Sequence, residues 1–128
     1  MSLAMIIASL GFAASPAHAT SYCSGWKQVQ NFQEKACVIT ESSTTIRHRH
    51  YVRSLISNTQ STYVTTFRYI NGSVSVCKSQ TRETFSAYQT KSWSCGSYRY
   101  SGYRYFTRGY VTKSDGYNIG VDSPTITG

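Results

Sequence analysis

The chain is predicted to be all-β, with antiparallel strands packed as a sandwich. Three observations favour this fold. Polar and apolar side chains alternate along most of the sequence after residue 19, Thr, Ser, Val and Tyr are frequent there, and clusters of Ser, Asn, Gly and Asp separate the alternating segments. Because the segments are short and turn signals separate them, we expect an immunoglobulin-like or related antiparallel β-sandwich.

The N-terminal stretch MSLAMIIASLGFAASPAHA is typical of a secretory signal peptide. The apolar run Leu3–Ala14 is followed by Pro16 and by Ala17-His18-Ala19, which fits an A-x-A cleavage site. The run is too short for a stable membrane-spanning helix, and no later apolar run approaches that length. We therefore expect residues 1–19 to be a signal peptide, residues 20–128 to form a single domain, and the protein to be secreted and extracellular.

Candidate strands follow in order along the rest of the chain. They are Trp26–Phe32, Ala36–Ser42, Thr45–Ile56, Ser61–Ile70, Ser73–Ser79, Thr81–Gln89, Ser97–Gly102, Tyr103–Lys113 and Tyr117–Val121. Asn71-Gly72 predicts a two-residue type I′ hairpin, and Asp115-Gly116 predicts a second hairpin. With that first turn, we expect one core-facing set of side chains, namely Tyr63, Phe67, Tyr69, Val74 and Val76.

The four cysteines, Cys23, Cys37, Cys77 and Cys95, predict two disulfides, because an even count in a small exported chain is typical of such bridges. The sequence contains no C-x-x-C pair of the kind that binds zinc. Of the three possible pairings we favour the sequence-local one, Cys23 with Cys37 and Cys77 with Cys95, each stabilising by roughly 3 kcal/mol. The hairpin register would pair Cys77 with Thr66 and place its bridge on the outer side or at the end of a sheet.

The charge of the chain restricts its possible partners. Thirteen basic and five acidic residues give a net charge of +8, and all of them follow Ala19. A basic exported protein is attracted to cell-wall polymers, lipid head groups, nucleic acid or an acidic protein. The same charge also keeps a secreted domain soluble, so charge alone does not select the partner.

The stretch TIRHRHYVR, residues 45–53, is the first candidate site. As a strand, it would carry Ile46, His48, His50 and Val52 on one face and Arg47, Arg49, Tyr51 and Arg53 on the other. Two imidazoles about 7 Å apart on one strand face can begin a metal site, but zinc or copper normally needs a third protein ligand. We therefore expect His48 and His50 to line a partly buried face and bond to hydroxyls, with metal binding as the weaker alternative.

A small secreted ribonuclease is the enzyme that this composition allows. General acid–base cleavage of RNA could use His48, Glu83 and an arginine. No local motif supports that assignment, no G-x-S-x-G elbow is present, and paired cysteines leave no thiol nucleophile. We therefore expect no catalysis and no cofactor.

The second candidate site is YRYSGYRYFTRGY, residues 98–110, where tyrosine and arginine interleave. Both side chains stack well on flat groups. If Tyr98 and Tyr100 face inward, Arg99 faces outward. After Gly102, one face would carry Tyr103, Tyr105 and Thr107 and the other Arg104, Phe106 and Arg108. Should this strand share a sheet with residues 45–56, the arginines of both would merge into one basic patch.

A broader layout is also informative. YCSGW, VQ and ACV are followed by RHYVRS, a mid-chain cysteine, W-x-C at Trp93–Cys95 and a closing SPTIT. This resembles small secreted two-disulfide β proteins of actinobacteria, a class that includes the adaptor subunit of umbrella toxin particles, which links a large repeat-containing toxin to lectin-like tips. The resemblance covers most of the chain after the signal peptide and assigns no functional residues. Such adaptors carry an N-terminal extension, whereas here three residues separate the predicted cleavage site from Cys23.

We therefore expect a secreted, non-catalytic binding protein, an adaptor or subunit of an extracellular complex such as an interbacterial toxin assembly. The alternative is a cationic protein that binds an anionic polymer of the cell envelope or acts as an antimicrobial. The expected partner is thus a secreted protein or an envelope polymer rather than nucleic acid. The predicted contact residues are Arg47, Arg49, Arg53, Arg99, Tyr103, Arg104, Tyr105 and Arg108.

Overall fold

The computed structural model describes residues 19–128, so the predicted signal peptide lies outside the described residues except for Ala19. The described chain is one domain of two antiparallel sheets, with 68% of residues in strands and no helix. The predicted all-β sandwich is confirmed. Within residues 19–128, no helix is long and apolar enough to cross a membrane.

Ten strands follow one another along the described chain. They are β1 (Thr20–Cys23), β2 (Lys27–Val29), β3 (Phe32–Thr40), β4 (Thr45–Ser54), β5 (Gln60–Ile70), β6 (Ser73–Phe85), β7 (Thr90–Tyr98), β8 (Arg104–Thr112), β9 (Asn118–Asp122) and β10 (Ile126–Thr127). In the first sheet the order is β1-β3-β4-β7, and β2 also pairs with β3. In the second sheet the order is β9-β8-β5-β6, and β10 also pairs with β8.

Four predicted strands are divided, joined or misplaced relative to the structure. Trp26–Phe32 is interrupted by a turn at Gln30, whose φ of 55° ends β2 before β3 begins. Ser73–Ser79 and Thr81–Gln89 are instead one strand, β6, which forms the edge of its sheet and tolerates polar residues on its open side. The predicted strand Ser97–Gly102 is wrong, because β7 already ends at Tyr98.

The hairpin at Asn71-Gly72 has the predicted register, with Tyr69 opposite Val74 and Phe67 opposite Val76. The prediction that this face forms the core is wrong. Val74 and Val76 are 53% and 54% exposed, and the whole set lies on the outer side of the second sheet. The reason is the other neighbour of β5, since β8 pairs its buried residues with the opposite face of that strand.

Both predicted disulfides are present. Cys23–Cys37 links β1 to β3 within the first sheet, whereas Cys77–Cys95 joins β6 of the second sheet to β7 of the first. The predicted outer-side position of the second bridge is therefore wrong. A register shift makes Lys78, not Cys77, the partner of Thr66. Cys77 is the extra residue of this bulge and connects the two layers.

The interior of the sandwich contains two apolar clusters. The first has as its buried members Val29, Phe32, Val52, Val64, Phe85 and Val111. The second contains Val38, Ile46 and Tyr105. On β4, His48 and His50 come between Ile46 of the second cluster and Val52 of the first, so a polar layer separates the two.

Candidate functional site

The two histidines of β4 lie in this polar layer and are fully buried. The Nδ1 of His48 lies 3.0 Å from the Thr107 hydroxyl, and its Nε2 lies 3.1 Å from the Ser97 hydroxyl. His50 lies 2.9 Å from the Thr66 hydroxyl through Nδ1 and 2.9 Å from a Glu34 oxygen through Nε2. The predicted inward face with hydroxyl partners is confirmed.

Burial determines the protonation of this layer. It lowers the pKa of His48 to about 4 and that of His50 to about 3, and it raises the pKa of Glu34 to about 9. All three side chains are therefore uncharged near neutral pH. Glu34 Oε2 has no hydrogen-bond partner among residues 19–128, which a neutral carboxyl tolerates better than a carboxylate.

The structure does not bring together the residues that the metal-binding and ribonuclease hypotheses require. Within residues 19–128, no three His, Cys, Asp or Glu side chains lie close enough together to hold a metal ion. Glu83 does not approach His48 but forms ion pairs with Lys78 at 3.0 Å and Lys91 at 3.9 Å. His48 is enclosed by the two sheets, so a substrate has no access to its imidazole.

The outer face of the first sheet carries the other half of the β4 pattern. The alternation that buries the histidines turns the remaining β4 side chains outward, where they meet residues of β3 and of the segment before β2. We call this surface the cationic face, and its residues are Trp26, Lys35, Arg47, Arg49, Tyr51 and Arg53.

Cations lie over aromatic rings on the cationic face. The Arg53 guanidinium carbon is 4.0 Å from the centre of the Trp26 ring. Lys35 Nζ is 4.8 Å from the ring centres of both Trp26 and Tyr51, which are themselves 6.4 Å apart in an edge arrangement. Such contacts stabilise a cation and limit the rotamers that it samples.

Carboxylates neutralise little of the charge on this face. Arg47 binds Glu41 through Nε at 2.8 Å and Nη2 at 3.2 Å, and this bond lowers the pKa of Glu41. Arg53 instead donates its Nε hydrogen to the amide oxygen of Gln33 at 2.8 Å, which positions the guanidinium and leaves its charge. Among residues 19–128, neither Lys35, Arg49 nor Arg53 has a carboxylate within ion-pair distance.

The predicted arginine patch is divided between two surfaces. Arg104 and Arg108 lie on β8, which belongs to the second sheet, so they cannot join the arginines of β4 on one face. Arg108 is also neutralised, with Nε and Nη2 at 2.6 and 2.8 Å from the two oxygens of Asp122. The condition for one merged patch is therefore not met, because β4 and β8 lie in opposite layers.

The remaining predicted contact residues lie near the end of β7. Tyr105, expected to be exposed, is fully buried, and its hydroxyl donates to the Tyr98 carbonyl at 2.8 Å. Tyr98 and Tyr100 are 75% and 52% exposed, so the inward orientation that the sequence allowed for them is not found. Tyr103 is exposed, and Arg99 donates to the backbone oxygen of residue 42 at 2.9 Å.

Two members of the cationic face, Trp26 and Lys35, were missed by reasoning from sequence. Lys35 pairs directly with Tyr51 in the β3–β4 register. The turn between the two strands does not predict this register, because the N–H groups of Glu41 and Ser42 both donate to the Thr45 carbonyl and shift the pairing by one residue. No sequence signal identifies Trp26 either, which precedes β2 and reaches Tyr51 only through the folded arrangement.

Comparison with known proteins does not add a function. The chain matches no protein-family model, and no curated protein matches it. Its function must therefore be inferred from the geometry of the described residues.

Proposed function

We propose that this is an exported, non-catalytic binding protein, an adaptor or subunit of an extracellular complex, and that its cationic face holds an acidic partner protein. The main observation is a set of three cations, Lys35, Arg49 and Arg53, that form no ion pair with a carboxylate in the described chain. Arginine, tryptophan and tyrosine dominate the energies of many protein interfaces, and this face presents all three.

The order of the face supports recognition of a shaped partner. Trp26 and Tyr51 hold Lys35 and Arg53 in place, and Gln33 fixes the second of these cations. Side chains that are already fixed lose less conformational entropy on binding. Acidic side chains of a partner would therefore meet cations that need little rearrangement.

Export is supported by two features. The disulfides are of a kind that persists in oxidising compartments, and the N-terminal sequence has the pattern of a signal peptide. A non-catalytic role is supported by the burial of both histidines of the β4 strand, His48 and His50.

A cationic protein that binds the cell envelope is the second candidate, and the net charge of +8 favours it. Attachment of that kind depends on charge alone and weakens steeply as salt shortens the Debye length. A packed interface with Trp26 and Tyr51 would keep much of its affinity in high salt.

The experiment is a pull-down from the producer's culture supernatant with the tagged chain from Thr20 onward, washed at low and then high salt and analysed by mass spectrometry. We expect stoichiometric recovery of one or two secreted proteins through the high-salt wash. Attachment to cells or wall fragments that salt removes, without a specific protein, would contradict the adaptor and establish the envelope binder.

A matched pair of triple variants locates the surface. Replacing Arg47, Arg49 and Arg53 with glutamate should abolish recovery and leave the melting temperature nearly unchanged. The control makes an equal change of net charge outside the cationic face. It replaces with glutamate three arginines that form no ion pair with a carboxylate within residues 19–128, namely Arg82, Arg99 and Arg104. Equal loss in both variants would show that total charge, not the cationic face, binds the partner.

A further inference from the structure

A cavity of about 420 Å³ lies between the end of β5 in the second sheet and the end of β7 in the first. It is distinct from the cationic face. Its volume is within the range of about 300 to 1,000 Å³ that is common for small-molecule sites. We call this cavity the tyrosine pocket. The residues that line it include Thr45, Arg68, Ile70, Ser97, Tyr98 and Tyr100.

Arg68 gives the pocket a positive charge. It alternates with the buried residue Thr66 on the inward side of β5 and pairs with Thr107, which is also buried. Its Nε donates to the Ser75 hydroxyl at 2.8 Å and its Nη1 to the Gly96 carbonyl, both uncharged acceptors.

No carboxylate within residues 19–128 forms an ion pair with this guanidinium, and its Nη2 has no hydrogen-bond partner there. A half-buried cation of this kind is costly unless an anion accompanies it. The guanidinium is therefore suited to bind an anionic group of a ligand.

Tyr98 and Tyr100 form an aromatic wall whose backbone is held in place. The hydroxyl of buried Tyr105 accepts the Tyr100 backbone N–H at 2.7 Å and donates to the Tyr98 carbonyl at 2.8 Å, which holds both backbones. The ring centres of Tyr98 and Tyr100 are 6.1 Å apart and tilted by 51°. Neither side-chain hydroxyl has a partner within the described chain, so each can bond to a ligand.

These groups together select a ligand class. A sugar ring whose apolar C–H groups share one face packs on tyrosine. Its hydroxyls bond to the tyrosine hydroxyls and to Thr45, and one negative charge meets Arg68. We propose that the tyrosine pocket binds a pyranose sugar that carries a carboxylate, either free or at the end of a glycan. This inference does not depend on the function proposed for the cationic face.

Glucuronate is the probe, titrated into the ¹⁵N-labelled protein and followed by NMR, with glucose and acetate as comparisons. We expect glucuronate to shift resonances around Arg68, Tyr98 and Tyr100 and to bind at least about tenfold more tightly than either comparison ligand. Equal binding of glucose would overturn the role of Arg68, and equal binding of acetate would show a bare anion site only.

Two variants test the walls of the pocket. Tyr98→Ala should weaken glucuronate binding at least about tenfold without affecting folding, because the side chain is largely exposed. Tyr117→Ala removes a similarly exposed tyrosine outside the pocket and should leave binding unchanged. Unchanged binding in Tyr98→Ala, or no shift with glucuronate at all, would overturn the proposal. A glucuronate-terminated oligosaccharide that binds more tightly than the free acid would identify a glycan end as the source.

Discussion

The two outer faces of the sandwich contain the same residue types in different arrangements. On the first sheet, Lys35 and Arg53 lie over Trp26 and Tyr51 and form no ion pair with a carboxylate within residues 19–128. On the second, the rings of Tyr69 and Phe106 stack on each other at 4.3 Å, 7° from parallel.

On the second face, a carboxylate neutralises the arginine that lies over the rings. Arg108 lies 5.0 Å from the Tyr69 ring but is bound to Asp122 by two hydrogen bonds. On the first face the cations over the rings keep their charge, whereas on the second face the arginine over the rings is neutralised. Arg82 and Arg104 of the second sheet form no ion pair within residues 19–128, but neither lies over the stacked pair. Tyrosine and arginine in alternation are therefore not sufficient to predict a binding surface, because the neighbouring strand decides whether the charge remains available.

Both faces depend on one interior, so the largest expected effect comes from within it. A Cβ at Gly109 would lie 2.2 Å from ring atoms of His50, a distance that requires the surrounding structure to move. We expect Gly109→Ala to lower the free energy of unfolding by about 3 kcal/mol or more, measured by urea denaturation.

The control is Gly25→Ala, where an added Cβ meets nothing within 4 Å. Its free energy of unfolding should change by less than about 0.5 kcal/mol. If Gly109→Ala were as stable as this control, the close contact between β8 and His50 would be wrong, and with it the common support of the two faces.

Sequence alternation was decisive where the two faces of a strand differ and failed where they are alike. On β4, Ile46 and Val52 contrast with Arg47 and Arg53, so the inward face was predictable. On β5, both faces carry apolar or aromatic residues, and the pairing with β8 selects the inward one.

The same limit applies to the candidate sites. The β4 arginines follow from local alternation, but Trp26 and Lys35 meet them only through pairing between strands. The separation of Arg108 from that surface depends on which sheet contains β8, and this choice is not encoded in any short stretch.

The next largest effect is a dependence of folding stability on pH. It arises from the buried polar layer that supports both faces. The folded pKa values of His48 and His50, about 4 and about 3, lie below the value of 6.5 for an unperturbed histidine. As pH falls below 6.5, the unfolded chain takes up two protons that the folded chain does not, so stability decreases.

Glu34 acts in the opposite direction. Its folded pKa of about 9 lies above 4.5, so the folded chain holds one extra proton between those values and stability decreases as pH rises. Between pH 6 and pH 5 the unfolded chain therefore binds at most one proton more than the folded chain. The free energy of unfolding falls by at most about 1.4 kcal/mol per unit of falling pH.

Glu34→Gln tests this balance, since it should roughly double that slope and remove the loss of stability at alkaline pH. Urea denaturation at a series of pH values measures both, with Glu41→Gln on the surface as the control. A slope of zero between pH 6 and pH 5 in the unmodified protein would contradict the uncharged interior.

The smallest expected effect tests directly whether arrangement or charge count separates the two faces. Asp122→Asn releases Arg108 from its only ion pair within the described chain and leaves it beside Tyr69 and Phe106. Exposed ion pairs contribute about 0.2 to 1 kcal/mol, so the free energy of unfolding should fall by no more than that amount.

The informative measurement places Asp122→Asn in the protein whose β4 arginines are all glutamate. We expect no restored partner binding in the pull-down, because Arg108 then lies on the opposite face of the sandwich from Trp26 and Tyr51. Asp115→Asn makes the same charge change in a turn, beside Lys113, and serves as the control. Restored binding with Asp122→Asn alone would show that the second face substitutes for the first. Restored binding with both would show that the partner responds to net charge, since neither the rings nor the strand order would then be needed.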